Sequence, residues 1–211
     1  MVHRTPFILP LLYPRLIWKI PSEGKTLFLT FDDGPVPGPT EFVLETLQRY
    51  NIEATFFCIG DNIRKHPVVF KKIIDAGHKI GNHTHNHLNG WNTKSSHYVE
   101  NVAECNKQIA EHLPAVAAST GIFRPPYGRI TRDQIRSLAG FTIIMWDVLS
   151  IDYNDRLSSE RCLKNTIHAS RPGSIIVFHD SYKAEKNLTF VLPKYIEHFL
   201  GLGFEFKVVP G

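Results

Sequence analysis

Short apolar segments alternate with amphipathic helical patterns along most of this chain of 211 residues. The apolar segments predict seven β-strands, at residues 25–31, 54–59, 78–82, 122–124, 141–147, 174–178 and 204–209. The patterns between them predict six helices, at residues 40–50, 68–76, 95–113, 131–139, 158–170 and 189–200. Repeated strand–helix alternation is typical of parallel strands that are buried on both faces, and it indicates an α/β fold.

The positions of polar residues favour a barrel over an open, doubly wound sheet. Polar side chains directly follow five different predicted strands, at Asp32-Asp33, His83, Arg124, Asp147 and His179. In a barrel the carboxyl ends of the strands meet at one mouth, whereas in an open sheet they would be spread along a line. We therefore expect a barrel with the active site at the C-terminal ends of its strands, distorted because the strand count is seven rather than eight.

Composition and charge exclude several kinds of protein. A hydrophobic content of 43% suits one domain with a full-sized core. The net charge is only +4 and the basic residues are scattered, so we expect no nucleic-acid partner. The cysteines, Cys58, Cys105 and Cys162, are odd in number and far apart, which argues against disulfides and against a cysteine zinc site. Small buried thiols of this kind fit a reducing compartment.

The N-terminal segment is apolar over residues 7–20, but two prolines and two basic residues interrupt it. It is too short and too interrupted to span a bilayer, and it lacks a small-residue cleavage site of the kind that ends a signal peptide. We expect residues 1–24 to form an arm packed on a catalytic domain at residues 25–211, with a weak membrane-surface segment as the alternative. Without an export signal, the expected location is the cytoplasm.

The first candidate for chemistry is Asp32-Asp33-Gly34-Pro35, at the end of a predicted strand. Neighbouring side chains on a strand point to opposite faces, so both carboxylates can serve one site only if the chain turns at Gly34-Pro35. One carboxylate could then bind a metal while the other takes a proton. The alternatives are a turn or helix-cap role, or a glycosidase pair, which needs carboxylates roughly 5–9 Å apart.

The second candidate is the cluster His83, His85 and His87, which follows another predicted strand. His83 and His87 fall on one side of a helical turn, whereas His85 could instead pair with either neighbour in an extended chain. Two histidines with Asp33 form a ligand set suited to zinc, cobalt, nickel or iron. Three protein ligands leave a position open for water, which is typical of a catalytic metal rather than a structural one.

Two further segments carry candidate residues. In Arg124-Pro125-Pro126-Tyr127-Gly128, the arginine could orient a free carboxylate by a forked hydrogen bond, and the Tyr127 N–H could face a developing oxyanion. The alternative is a rigid surface turn. His179, directly after an apolar strand, is well placed as a general acid whose pKa a contacting aspartate would raise. The alternatives there are a capping aspartate and a core histidine.

Taken in order, five motifs of the chain resemble those of the polysaccharide deacetylase family, which has a NodB-type homology domain and belongs to the family-4 carbohydrate esterases. The motifs are Thr30-Phe31-Asp32-Asp33-Gly34-Pro35, His83-Thr84-x-x-His87, Arg124-Pro125-Pro126-Tyr127-Gly128, Asp152-Tyr153 and His179-Asp180. The resemblance covers the chain from about residue 25 to its C-terminus. It implies a distorted (β/α)7 barrel and metal-dependent removal of N-acetyl groups from sugars of chitin or peptidoglycan type.

The resemblance also implies roles for individual residues. It implies that the metal ligands are Asp33, His83 and His87. The implied catalytic and supporting residues are Asp32 as base, Arg124 as its positioning partner, Tyr127 as the backbone oxyanion donor, His179 as general acid, Asp152 as the partner of that acid, and Ile176 beside the acetyl methyl group. The chain departs from the family pattern at Leu149, Tyr153 and His85, which puts the loop around the general acid and the substrate choice in question.

Three functions are compatible with these residues. The first is a deacetylase of N-acetylglucosamine-containing glycans that uses one divalent ion, with zinc as first choice and cobalt, nickel or iron as alternatives. The second is an intracellular deacylase of a small acylated sugar or a non-sugar amide. The third, a glycan-binding module without catalysis, is disfavoured because ligands, base and acid are all present. We expect no transmembrane segment, and the oligomeric state stays open.

Overall fold

Seven parallel strands run side by side through the middle of the computed structural model, which describes residues 3–113 and 121–210. The strands are β1 (Thr26–Asp32), β2 (Thr55–Cys58), β3 (Lys79–Asn82), β4 (Ile122–Phe123), β5 (Thr142–Ile143), β6 (Val148–Leu149) and β7 (Ile175–His179), and a further strand, β8 (Glu205–Phe206), pairs with the start of β1. They are ordered β5-β4-β3-β2-β1-β7-β6. This curled sheet with its surrounding helices is the distorted (β/α)7 barrel that was predicted.

Helices connect the strands and cover the outer face of the sheet. They are α1 (Ile8–Leu12), α2 (Pro39–Arg49), α3 (Gly60–Lys65), α4 (Pro67–Asp75), α5 (Ser95–Ala110), α6 (Arg132–Ser137), α7 (Ser159–Ala169) and α8 (Glu185–Gly201). Side chains cap two of them, since the Thr131 and Ser158 hydroxyls accept N–H groups of the first turns of α6 and α7. The patterns in the sequence did not predict α1 or α3. Among the described residues, no helix is long and apolar enough to cross a bilayer.

Alternation along β1 divides the core into two parts. Leu27, Leu29 and Phe31 pack outward in a cluster that includes residues of α2 and α8. Phe28 points inward and packs with interior residues of β2, β4 and β7. Because side chains alternate along a strand, Asp32 belongs to the inward set, at the top of the barrel.

Two predicted strands are much too long, and β6 was not predicted. The segment predicted at residues 204–209 is a strand only at Glu205–Phe206. The segment predicted at residues 141–147 ends as a strand at Ile143, and β6 begins only at Val148. The Ile144 and Met145 carbonyls accept hydrogen bonds from the Arg124 guanidinium, at 3.2 and 2.9 Å, rather than from a neighbouring strand. The chain therefore leaves the sheet for a few residues so that a buried arginine can be satisfied.

The N-terminal arm bridges the two sides of the curled sheet. Ile17 exchanges backbone hydrogen bonds with Ile143 and Met145 on one side, at 2.9 and 2.7 Å. Three residues later, the Ile20 N–H donates to the Gly173 carbonyl beside β7, at 3.0 Å. Trp18 lies between these pairings and is 9% exposed. Residues 16–20 thus share the hydrophobic core of the barrel. All three cysteines of the chain are buried free thiols.

Candidate active site

A cavity of about 460 Å³ opens at the carboxyl ends of the central strands. Its lining combines ionisable, aromatic and aliphatic side chains: Asp32, Asp33, His83, His87, Tyr127, Arg129, Trp146, Leu149, Tyr153, Val177, His179, Ser181 and Lys183. Most of the residues singled out from the sequence therefore lie around one space.

Arg124 is fully buried beside Asp32, beneath the floor of this cavity. One guanidinium nitrogen, Nη1, donates to Asp32 Oδ1 and to Thr30 Oγ1, at 2.7 Å each. The other two nitrogens donate to the backbone carbonyls of Ile144 and Met145. The forked hydrogen bond expected from the sequence is thus replaced by a single contact, which leaves the second Asp32 oxygen directed elsewhere. A charge-assisted bond of this kind holds the carboxylate in one orientation.

Asp33 reaches the same cavity because the backbone turns sharply at its position. Its φ angle is 81°, in the left-handed region that non-glycine residues seldom adopt. Hydrogen bonds hold the turn on both sides: Asn62 Nδ2 donates to the Asp33 carbonyl at 2.7 Å, and the Gly34 N–H donates to Asp180 Oδ1 at 3.0 Å. Asp180 also accepts the Thr40 hydroxyl, at 2.6 Å, and burial raises the pKa of its carboxyl to about 8.

His83 and His87 face Asp33 across the cavity floor. Asp33 Oδ1 lies 3.7 Å from His83 Nε2 and 3.1 Å from His87 Nε2. The expected helical turn is absent from this part of the described chain, since Thr84 and His87 both have left-handed backbone conformations. His85 is directed away, and its backbone N–H donates to the Asn101 side chain at 2.9 Å. The structure therefore selects the pair His83 and His87 from the alternatives that the sequence left open.

The protonation state of His83 follows from its partner. Its Nδ1 lies 2.8 Å from the Arg124 carbonyl, which can only accept, so Nδ1 carries the proton and the Nε2 lone pair faces the cavity. Burial lowers the pKa of His83 to about 4 and keeps the ring neutral. Burial opposes ionisation of Asp33, but the hydrogen bond with His87 and the nearby imidazoles hold its pKa below the ordinary value.

These three side chains fit a divalent cation. Their ligand atoms lie within 4.8 Å of one another, and no other group of three or more potential ligands occurs among the described residues. The set combines an ionised carboxylate with a neutral imidazole whose tautomer is fixed by a carbonyl, as metal ligands require. It also leaves the cavity side open, which is the arrangement of a catalytic site rather than a closed structural one.

His179 lies at the end of β7, on another side of the cavity. Its Nδ1 is 2.7 Å from Asp152 Oδ1, and its backbone N–H donates to Asp152 Oδ2 at 2.8 Å. Burial alone would lower the pKa of His179, but the Asp152 carboxylate outweighs it and raises the pKa to about 9. The Tyr153 ring stands edge-on to the imidazole, with centroids 4.9 Å apart. The departure from the family pattern at this position therefore still places an aromatic ring against the histidine.

Tyr127 closes the cavity beside the histidine pair. Its ring centroid lies 4.6 Å from that of His87, and its backbone is left-handed, with φ at 61°. Within the described part of the chain its N–H has no hydrogen-bond partner, so it is free to donate to a ligand.

Two expectations about neighbouring residues are wrong. Ile176 is buried in the outer cluster, and Val177 lines the cavity with His179 instead, because residues two apart on a strand share a face. Period-two alternation in β7 could have identified Val177. Asp147 precedes β6 rather than following a strand, and it accepts hydrogen bonds from Arg171 and Ser174 away from the cavity.

Sequence reasoning missed Arg129, Trp146 and Lys183, which all line the cavity. Trp146 lies in the segment that leaves the sheet after β5, and no local pattern marked its direction. Arg129 lies over the Trp91 ring at 5.2 Å, and Lys183 over the Tyr153 ring at 5.5 Å. Basic residues directly after a motif were the only available signal.

Comparison with known proteins agrees with this geometry. A family model described as polysaccharide deacetylase matches residues 19–144, which is more than half of the chain. The chain belongs to the polysaccharide deacetylase family. It is 35% identical over 163 residues to a peptidoglycan-N-acetylglucosamine deacetylase of Bacillus cereus, an alignment covering 76% of the chain but only 58% of that relative.

Two other proteins resemble this member of the polysaccharide deacetylase family over most of their length. A chitooligosaccharide deacetylase of a Bradyrhizobium species is 32% identical, with 84% of this chain and 80% of the relative covered. The crystal structure of a peptidoglycan N-acetylglucosamine deacetylase superposes with a TM-score of 0.87 at 29% identity, over 98% of this chain and 95% of the other.

Proposed function

We propose that this member of the polysaccharide deacetylase family hydrolyses N-acetyl groups on N-acetylglucosamine-containing glycans of peptidoglycan or chitin type, with the help of one divalent cation. One observation carries the proposal. The Asp32 carboxylate, which a buried arginine holds in place, lies beside a three-residue set that could bind a metal. His179, paired with the buried Asp152, lines the same cavity.

Zinc is the ion that we propose, because two imidazoles and one carboxylate with an open position form a common zinc set in hydrolases. Asp33, His83 and His87 would hold it. Such an ion supplies Lewis acidity to an amide oxygen and to water. Cobalt, nickel or iron would fit the same donors.

Asp32 is proposed as the general base. Its carboxylate is 3% exposed and bonded by Arg124, so it is held in place to accept a proton from an attacking water. Arg124 holds the base in one orientation, and the backbone carbonyls of Ile144 and Met145 hold the guanidinium in turn. The free Tyr127 N–H is proposed to stabilise the negative charge that develops on the amide oxygen.

His179 is proposed as the general acid. Asp152 keeps the imidazole protonated at neutral pH and holds Nδ1, which leaves Nε2–H to protonate the departing amine. Val177, Leu149 and Trp146 form an apolar part of the lining that suits a methyl group. This division of roles places the base and the acid on different strands of one cavity.

The proposed substrate class follows from the relatives and from the rim. The relatives compared here are named for peptidoglycan N-acetylglucosamine and for chitooligosaccharides. Three exposed rings belong to the lining or to its neighbours. Tyr127 lines the cavity, Trp91 lies against the lining residue Arg129, and Tyr182 lies between the lining residues Ser181 and Lys183 in the chain; they are 58%, 64% and 61% exposed. Aromatic faces of this kind suit the apolar faces of sugar rings, so a glycan longer than one residue is expected to bind across the opening.

The test of the base is Asp32→Asn in protein loaded with zinc. We expect acetate release from N-acetylglucosamine oligomers to fall by about 10²–10⁴-fold, as for loss of a general base, while bound zinc stays at the wild-type level. Asp75→Asn, at an exposed aspartate on α4, is the matched control and should keep full activity. Near-full activity of the Asp32 variant with its zinc retained would show that the base is another group.

The length of the substrate separates the two enzymatic functions. A rate that rises from the monosaccharide to longer oligomers supports the glycan substrate. Activity confined to monosaccharides or to non-sugar amides would contradict the glycan substrate and support a deacylase of small molecules that uses the same site.

A further inference from the structure

Four large apolar side chains stand in solvent beside one another on the N-terminal helix α1. Phe7, Ile8, Leu11 and Leu12 are 83%, 46%, 69% and 56% exposed, and we call them the α1 patch. The other exposed large apolar residues of the described chain are single or paired, at positions such as Val68 on α4. Isolated exposed apolar residues are ordinary, but a contiguous group marks an interaction surface.

The opposite side of α1 is anchored to the barrel. Leu9 and Tyr13 pack against the core cluster that contains Trp18. Just before the helix, the Thr5 hydroxyl donates to the Trp146 carbonyl at 2.7 Å. The α1 patch is therefore presented outward from a fixed base, next to a residue that lines the catalytic cavity.

Arginines border the α1 patch. Leu12 shares a surface groove of about 340 Å³ with Arg15, Arg132 and Arg136. Arg136 forms an ion pair with Asp133, whereas Arg15 and Arg132 have no ion-pair partner among the described residues. The groove at the Leu12 end of the patch thus carries a net positive charge.

We propose that the α1 patch and these arginines dock the protein on a bilayer surface that contains anionic phospholipid. Apolar side chains beside cations are the combination that enters the interface while the charges meet lipid headgroups. A helix of five residues is far too short to span the bilayer, so it would lie in the interface. A second copy of the chain is a poorer occupant, because a two-fold contact would bring the same arginines towards each other.

The experiment is co-sedimentation of the zinc-loaded full chain with vesicles of phosphatidylcholine alone or mixed with phosphatidylglycerol. We expect binding to the mixed vesicles only, weakening as salt is added. The double substitution Phe7→Ser and Leu11→Ser should reduce the partition coefficient by about a hundredfold or more. Arg15→Gln and Arg132→Gln should each reduce it by about fivefold.

Val68→Ser is the matched control, because Val68 is 71% exposed but lies alone on α4. It should bind vesicles like the wild type. The proposal is overturned if the wild type stays in the supernatant with mixed vesicles, or if the Phe7 and Leu11 variant binds as well as the Val68 control. It is also overturned if size exclusion shows a dimer that the same double variant dissociates.

Discussion

At the scale of single residues, two histidines of the same cavity have pKa values shifted in opposite directions. His83 is buried and the His179 side chain is only 12% exposed, and burial lowers the pKa of any histidine. In His83 burial prevails and the pKa falls to about 4, so the ring is neutral and can bind a metal. In His179 the directly bonded Asp152 prevails and the pKa rises to about 9, so the ring can donate a proton. The bonded partner, rather than burial, decides between ligand and acid.

The His179 assignment predicts a shift in the pH profile of Asp152→Asn. Removing the carboxylate takes away the largest effect that opposes burial, and only the weaker effects of Asp33 and Asp32 remain, so the pKa of His179 falls and the alkaline fall in activity moves to lower pH. Because the folded pKa is raised above 6.5, the ion pair also stabilises the fold fully below that pH and loses its effect as pH rises through about 9. The measurement is the pH dependence of kcat and of unfolding by urea.

Asp155→Asn is the control for this prediction, since Asp155 is exposed in the same loop and forms no ion pair with another described residue. Its pH profile should match that of the wild type. An unchanged alkaline limb in the Asp152 variant would show that another group supplies the proton.

At the scale of elements, the end of β1 must deliver two adjacent carboxylates to one cavity. Strand alternation sends only Asp32 inward, and the turn at Asp33 and Gly34 brings the second carboxylate round. The turn is supported from below by Asp180, which lies so close that a Cβ on Gly34 would be 2.0 Å from its Oδ2. The absence of a side chain at Gly34 is thus a condition for the metal-binding set.

This close approach predicts the effect of Gly34→Ala. The added methyl group must displace the buried Asp180 carboxylate or the turn itself, which should destabilise the protein by about 1–3 kcal/mol. Because Asp33 moves with the turn, zinc affinity should fall as well. Urea unfolding and competition with a zinc-binding dye measure the two effects.

Gly140→Ala provides the comparison, because a Cβ at Gly140 would meet nothing within 4 Å. It should change stability by a few tenths of a kcal/mol at most and leave zinc affinity unaltered. Equal behaviour of the two variants would mean that the turn tolerates a side chain and that the support from Asp180 is dispensable.

At the scale of the whole molecule, the barrel is completed by a segment that precedes its first strand. Residues 16–20 pair with the chain after β5 and with the residue before β7, on the two sides of the curled sheet. They also contact the segment whose Ile144 and Met145 carbonyls accept hydrogen bonds from Arg124. Stability of the catalytic floor is therefore expected to depend on the N-terminal arm.

Trp18→Ala tests this dependence. Removing a buried indole should cost about 3–5 kcal/mol, from lost burial and from the cavity that remains. Trp91→Ala is the control for size, because that ring is 64% exposed, and it should cost far less. If urea unfolding finds that the two variants lose equal stability, the arm does not contribute to the core of the barrel.

Much of the candidate site could be predicted from the sequence, because most of its residues lie at or just after the ends of strands. Strand periodicity and the motifs correctly indicated that Asp32, Asp33, His83, His87 and His179 would share one region, and the structure brings them into one cavity. The sequence did not predict that Asp147 binds Arg171. It indicated that Arg124 would contact Asp32, but not that a single nitrogen would do so while the other two bind the carbonyls of Ile144 and Met145. Such choices depend on which polar groups are left unsatisfied once the core has closed.

What the sequence determined by itself is the alternation of strands and helices, and the order in which the proposed catalytic side chains follow the strands. Both are local properties, since backbone preference and side-chain period act within a few residues. The tertiary structure decided which histidines pair, that Val177 rather than Ile176 faces the cavity, and that an N-terminal arm closes the barrel. Those outcomes were settled by packing and hydrogen bonding between segments far apart in the chain, which no short window of sequence contains.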